Sequence, residues 1–556
     1  MRARLAVLVA VLLAIGAGTV AAQRWQAGFT GSAAASASGG VVTLPAAGAA
    51  AVPVCPGPET LVVPAGGTSV PPPGPVVVGA VAARHPQSLL PAAAVPPAGQ
   101  DGAAPVPAAP APAVTPTGAS PARLAGSPLA AVADGLGLLS LPRTVAGVVR
   151  LEAPRGASVP ELSSVQLSLG RSGDLRGLAA MACPTASTQA WLVGGGTQVG
   201  RRGRLLIANP AATPAVVDVT VFGPKGPVAA PAGTGVVLSP GAQTALLVDA
   251  LAPGLDAVAV HVQARSGRVV ATLHDSYVRG LTPGGVDDVT PSAPAARRQY
   301  VPGVSVAPAS GSSLPAGAAD PGAVAVRVVN PGLAAVVVRV HLIGDGGELE
   351  ITGGVVTVPA QSVADVPLVQ VPPGTYTAVV DADTAVVAGA VVGRTVPGGQ
   401  VAGTPAAVAV AVPPSELAWA ASTEPLTGAT VVALPTLTAS TGSSGKAVPV
   451  GAVLSLAAPA AAAAVEVVEI GADGRSVAAH TVQVAAGGGA EQPLASTAVA
   501  VLVRPRPGAG PVVGALVLQV QDPAGPMVSV LAVRSGPTGV GARPTVIVDP
   551  RLGLRG

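Results

Sequence analysis

The chain has 556 residues, of which Gly 72 and Pro 60 are the conspicuous excess; 49% are hydrophobic, only 10% are charged, and the formal net charge is +3. So small a charge over such a length leaves no basic stripe to track a nucleic-acid backbone, and Trp 3, Tyr 3 and Phe 2 are too few for a platform of stacked rings. High apolar content with low charge excludes a wholly disordered chain, and the length allows about three or four domains.

Arg2 and Arg4 precede the uncharged run Leu5–Ala22, which closes on Val20-Ala21-Ala22 before Gln23-Arg24-Trp25. A basic start, an apolar centre and small closing residues describe an export signal. The run is also long enough for a retained anchor, and both readings stay open. In either case the preceding arginines place the body outside: anchored at the plasma membrane through residues 5–22 if the run is kept, secreted if it is cleaved. Residues 23–50 read as a tether and 51–90 as an N-terminal segment with a strand-like run at Glu59–Pro64. Cys55 lies in Val54-Cys55-Pro56 and Cys183 in Ala182-Cys183-Pro184, and these are the only two cysteines. In an exported chain a lone pair is expected to form a disulfide. Residues 91–128 are Pro/Ala/Gly-rich and read as a disordered or polyproline-like linker. The spacing of Leu129, Val132, Leu136 and Leu139 predicts one short helix. A first β unit is expected over 129–300, with strand-like runs at 148–151, 165–169 and 191–193.

An internal repeat organises the remainder. Both asparagines stand before proline at the end of an apolar run, in Leu205–Pro210 and Val326–Pro331, 121 residues apart. The following runs, Asp218–Gly223 and Arg339–Gly344, keep the same offset. A weaker third copy runs through Ala458-Pro459, Val467–Gly471 and Val512-Val513-Gly514. These define a second unit over 301–412 and a third over 413–556. Strands of four to eight residues between Gly/Pro/Asp turns, without helical periodicity, predict an all-β protein of tandem immunoglobulin-like β-sandwich repeats. They follow the signal or anchor helix and the Pro/Ala-rich loop.

The run Gly177–Pro184, Trp191–Gly195, the Asn209-Pro210 turn, Leu273-His274-Asp275, Gly280–Asp287, Val301–Gly303 and Val387–Ala390 follow one another in an order that resembles domain-of-unknown-function family 5719, a family of actinobacterial exported proteins. The resemblance extends over most of residues 50–550. It implies a membrane-linked or secreted product, often encoded near a membrane glycosyltransferase, and brings no catalytic residues with it.

No constellation points to catalysis, a cofactor or a metal. His274 beside Asp275 is the best candidate for a general base, but neighbours in a strand face opposite ways, and the matching repeat positions are Val391-Val392 and Val517-Leu518. Substituting either residue is therefore expected to be functionally mild. Asp345, Glu348, Glu350, Asp381, Asp383 and Asp473 lack a calcium-loop spacing, and Asp345 and Asp473 read as turn residues. Gly194–Gly200 breaks the dinucleotide pattern at Val199, and Thr441–Lys446 breaks the phosphate-loop pattern at Ser440 and Ala447. Arg201, Arg202 and Arg204 form the densest basic cluster, a solvated face or else an anion or partner contact. Trp191 and Trp419 read as core residues just ahead of a repeat's first strand. The expected function is a non-catalytic, extracytoplasmic, membrane-associated protein that scaffolds or modulates cell-envelope assembly through a protein partner at the outer surface of the plasma membrane. The alternatives are a secreted envelope hydrolase and a surface adhesin or ligand-binding module.

Overall fold

Short Val/Ala runs punctuated by glycine and proline suit a pleated, half-buried surface better than a helix face. The computed structural model describes residues 53–56, 163–211, 213–308, 323–395, 415–434, 450–522 and 525–535, and the backbone alone of 76–83, 113–117, 127–128, 130–133, 136–143, 148–152 and 161–162. All fall in one compact unit, Gly48–Val540. The expected signal or anchor, the tether and the Glu59–Pro64 run lie outside the described residues. The described chain is nearly all β, with one short α-helix, α1 (Val248–Leu251).

The strands fall into four successive pairs of sheets. The first holds β1 (Val54–Cys55), β2 (Val76–Ala83), β3 (Ala113–Thr117), β4 (Ser127–Pro128), β5 (Ala130–Ala133), β6 (Leu136–Arg143), β7 (Val148–Glu152), β8 (Glu161–Gly170) and β9 (Gly177–Ala182), ordered β1-β7-β3-β4 and β5-β6-β2-β8-β9. The second holds β10 (Gln189–Val193), β11 (Arg201–Ala208), β12 (Ala215–Gly223), β13 (Gly226–Val228), β14 (Val236–Leu238), β15 (Gln243–Leu247), β16 (Ala259–Ser266), β17 (Val270–Arg279) and β18 (Thr282–Val289). Its orders are β10-β16-β12-β13, with β14 also on β12, and β15-β11-β17-β18.

The third pair has β19 (Ala296–Val306), β20 (Val324–Val329), β21 (Val336–Gly344), β22 (Gly347–Val358), β23 (Val363–Pro367), β24 (Gly374–Thr395) and β25 (Ser415–Ala421). Here β24 runs through both sheets: its first half pairs with β19 and β21, its second with β20 and β25. The fourth holds β26 (Thr430–Ala433), β27 (Gly451–Ala458), β28 (Ala463–Gly471), β29 (Ser476–Val484), β30 (Gly488–Pro493), β31 (Ala498–Pro505), β32 (Val513–Asp522) and β33 (Gly525–Val533), ordered β26-β31-β28-β29 and β30-β27-β32-β33. In every pair the first, third and fourth strands lie in one sheet and the second and last in the other.

Three expectations need correction. Residues 130–133 and 136–143 form the β5–β6 hairpin rather than a helix, because β6 is fixed along its whole length by a ladder to β2. The 91–128 stretch contains β3 and β4, and β3 pairs with β7. Pairing also sets β2 between β6 and β8, joining residues 76–83 to 136–170. The strand carrying Trp419, β25, closes the third pair against β24 instead of opening the next.

Alternation builds the cores. In β12 the buried residues Ala215, Val217, Val219 and Val221 meet Leu205, Ile207 and Leu273 of the facing sheet. The cores also cross from pair to pair. Leu417 and Trp419 enter the second pair's core, Ala515 and Val530 the third's, and Val165, Leu167 and Leu178 of the first pair lie in the core of the fourth. First and fourth pairs are joined further by Arg171 Nε on Asp522 Oδ2 at 2.8 Å and Arg176 Nη2 on Gly525 O at 2.8 Å.

The Asn-Pro turns explain themselves chemically. Asn209 is 1% exposed; its Nδ2 donates to Thr213 O (2.8 Å), Leu238 O (3.2 Å) and Ser239 O (3.3 Å), and its Oδ1 accepts from Ala211 N (3.0 Å). Asn330 repeats the arrangement with Ala334 O, Val358 O, Pro359 O and Gly332 N. One amide therefore satisfies carbonyls at two successive turns. Cys55 and Cys183 form the expected disulfide, with Cα atoms 4.9 Å apart. It ties β1 of one sheet to the residue following β9 of the other, where Val54 N also donates to Pro184 O at 3.0 Å.

Reducing the disulfide should remove on the order of 4–5 kcal/mol, since it closes a separation of 128 residues. Urea midpoints that coincide with and without reductant would rule this out. Asn330→Ala should lower stability by about 1–3 kcal/mol for each buried carbonyl left without a donor. A midpoint within error of wild type would show that water replaces the amide.

Candidate functional site

The last strands of the four pairs, β9, β18, β25 and β33, converge, yet among the described residues no backbone ladder joins any two of them. Edge amides and carbonyls would be left unmet at such a junction. Two buried carboxyls meet them. Asp287, on β18 and 0% exposed, accepts from Trp419 N (2.6 Å) through Oδ2, and through Oδ1 from Ser529 Oγ (2.8 Å) and Ala180 N (3.4 Å). Glu416, on β25 and 1% exposed, accepts from Leu178 N (3.2 Å), Val286 N (3.1 Å) and Leu417 N (3.1 Å). Ser529 Oγ also contacts the backbone of Ala180. Glycine makes room for this: a Cβ on Gly285 would lie 2.4 Å from Leu417 N and 2.8 Å from Glu416 Oε1.

Asp275 adjoins the junction on β17, in register with Asp287. Arg201 grips it through Nε (3.0 Å) and Nη2 (2.5 Å), and Trp419 Nε1 donates to it at 2.9 Å. On the far side of the ring's environment, Arg327 lies 5.0 Å from the Trp419 centroid, is clamped by Asp365 (2.7 and 2.8 Å), and donates to Gly195 O (2.5 Å) and Val258 O (3.0 Å) of the second pair. Arg201 lies 5.4 Å from the same centroid. Trp419 thus fixes the second pair to the third.

Burial, set against donors that are all neutral, raises the Asp287 carboxyl well above its usual range, and Asp288 adds to the rise. Burial raises Glu416 to about 8 despite its three amide donors. Arg201 differs: burial opposes its charge, but Asp275 outweighs burial and its pKa is raised.

The residues singled out in the sequence are divided by strand alternation. His274 and Asp275 face opposite ways, as expected; His274 Nδ1 meets Asp288 Oδ1 at 2.8 Å. Whatever its effect on function, substitution of Asp275 is expected to cost stability, because the carboxylate is the buried partner of Arg201. The arginine cluster separates too: Arg201 turns to Asp275, Arg202 is exposed, and Arg204 is buried opposite His274. Gly194–Gly200 is a loop whose Gly195 carbonyl is spent on Arg327. Asp345 and Asp473 accept from Gly346 N and Arg475 N within their turns, Glu348 pairs with His341, and Asp381 with Arg298. Thr441–Lys446 lies outside the described residues. The junction itself was missed from sequence. Asp287 and Glu416 sit in no repeat match, and only two acids inside apolar strands hinted at them.

Asp275→Ala should destabilise by about 3–5 kcal/mol, because it leaves the Arg201 guanidinium uncompensated, while Trp419→Phe, which keeps the ring packing, should lose about 1 kcal/mol through the indole hydrogen bond. Equal urea midpoints for Asp275→Ala and wild type would contradict the ion pair's place in the fold.

The closed disulfide fits an oxidising, extracytoplasmic environment. Among the described residues no helix is long and apolar enough to cross a membrane. No curated protein matches the sequence. The model of a family of unknown function matches residues 140–495, from within β6 to just past β30. With well over half its length covered by that match, the chain belongs to the family of unknown function DUF5719.

Proposed function

We propose that the chain is a non-catalytic, extracytoplasmic scaffold of tandem immunoglobulin-like units, membrane-associated through residues 5–22 where that run is retained, and that it modulates cell-envelope assembly. The observation that carries this reading is the use made of its reactive side chains. Asp275, Asp287, Glu416, Arg201 and Arg327 are the residue types an active site would employ, and each is buried in cross-links between strands or between sheet pairs. Rigid positioning of four sheet pairs is what such cross-links supply. A membrane glycosyltransferase at the outer surface of the plasma membrane is the candidate partner. The surface left for it includes Arg202 on β11, the one member of the arginine cluster that faces solvent.

A secreted hydrolase is the competing reading, favoured by the His274–Asp288 pair at 2.8 Å, the arrangement that orients a general base. The two readings separate cleanly. Envelope fractions from cells carrying a photo-crosslinking residue at position 202 should yield an adduct with an integral membrane protein, and His274→Gln should leave the cellular phenotype intact. Loss of phenotype in a folded His274→Gln protein, or recovery of all mature protein in the medium without an adduct, would favour the hydrolase.

A further inference from the structure

The buried acids of this fold divide by their partners. Asp275 has a guanidinium, and Asp288 and Glu469 each have an imidazole. Asp287 and Glu416 have none: every hydrogen-bond donor to them is an uncharged amide or hydroxyl. The nearby charges hydrogen-bond elsewhere, and of them Arg176 acts on Glu416 through space, opposing the rise of its pKa. Arg176, ahead of β9, donates to Gly525 O and lies 3.9 Å from Asp522. Arg279, at the end of β17, bonds Ser415 Oγ. Asp288 on β18 is held by His274, and β33 contributes only the Ser529 hydroxyl. Two carboxyls this deeply buried, neither hydrogen-bonded to a cation, are held there as neutral acids, because burial outweighs their amide donors and, at Glu416, the opposing field of Arg176.

We propose that Asp287 and Glu416 form a proton-dependent clasp: they replace the backbone ladder absent between β9, β18, β25 and β33, and the junction opens when they lose their protons to solvent. Ionisation requires hydration of the new charge, and water reaches a residue 0–1% exposed only if the strands separate. Opening there frees β9 from β33, one of the contacts that join the first sheet pair to the fourth. The direction of the pH effect follows from linkage. The folded Glu416 carboxyl titrates at about 8 against 4.5 ordinarily, so between those values the folded chain holds a proton that the unfolded chain has released. Stability is then full below the ordinary carboxyl range, falls as pH rises through this window, and levels off above it, and Asp287 acts in the same sense.

The test is the urea midpoint of the full-length protein between about pH 5 and about pH 9, for wild type, Glu416→Gln and Asp287→Asn. The wild-type folding constant should fall by up to about tenfold per pH unit for each proton held, and the amide variants, which cannot ionise, should follow a shallower line. A midpoint that stays level or rises between about pH 5 and about pH 8 overturns the clasp, as does a Glu416→Gln slope equal to that of wild type. Should the variants not fold, acrylamide quenching of wild-type tryptophan fluorescence decides. Quenching should increase from about pH 6 to about pH 9, because Trp419 sits at the junction, and unchanged quenching overturns the proposal.

Discussion

Four strand edges meet in the described structure without exchanging a single backbone ladder, and the joins between its sheet pairs are arranged around that fact. An unmet amide buried away from water costs about as much as a lost hydrogen bond, so each edge needs an acceptor that arrives from a side chain. Asp287 and Glu416 are those acceptors, and between them they touch all four strands or their nearest neighbours. A carboxyl suits the task because it presents two oxygens with several lone pairs, enough to collect amides from different directions.

The same economy appears wherever sheet pairs meet. Arg327 carries its charge from β20 into the second pair, capping Gly195 O and Val258 O while Asp365 neutralises it. Trp419, offered by the last strand of the third pair, spends its indole N–H on Asp275 of the second and its backbone N–H on Asp287. Small residues permit the approach: a Cβ on Gly389 would lie 2.7 Å from Val193 O. With so few aromatic side chains available, Val and Ala supply the interior, and polar cross-links supply the specificity that larger shapes would otherwise give. Function as a scaffold is consistent with this distribution, in which charge is directed inward to fix geometry.

Much of the β architecture was legible beforehand. The Asn209-Pro210 and Asn330-Pro331 steps exposed the repeat because proline ends a ladder and asparagine can bridge a turn, both of which are local properties. The cysteine pair was legible because a lone pair of cysteines in a chain expected to be exported is expected to bridge. The β5–β6 hairpin was not, since four apolar residues at near-helical spacing carry no information about a partner strand sixty residues upstream. The first sheet pair escaped the repeat search for a related reason. Its strands, such as Val76–Ala83 and Ala113–Thr117, are Gly-, Ala- and Pro-rich, and their pairing depends on long-range ladders that composition does not reveal.

By itself, then, the sequence determined that the chain is β-built, repetitive, destined for an oxidising compartment and cross-linked between Cys55 and Cys183, because alternation, turn chemistry and cysteine count are properties of short stretches. Only the tertiary structure decided which acids are buried and beside what. Asp275, Asp287 and Asp288 lie within a few residues of one another in the chain or in register across one hairpin, yet one meets a guanidinium, one meets neutral amides and one meets an imidazole. Strand alternation turns neighbours to opposite faces, and what waits on each face is set by segments 14 residues away for Asp288, 74 for Asp275 and 132 for Asp287. The charge state of a carboxyl depends on that company, and so the central junction had to be seen in three dimensions to be recognised.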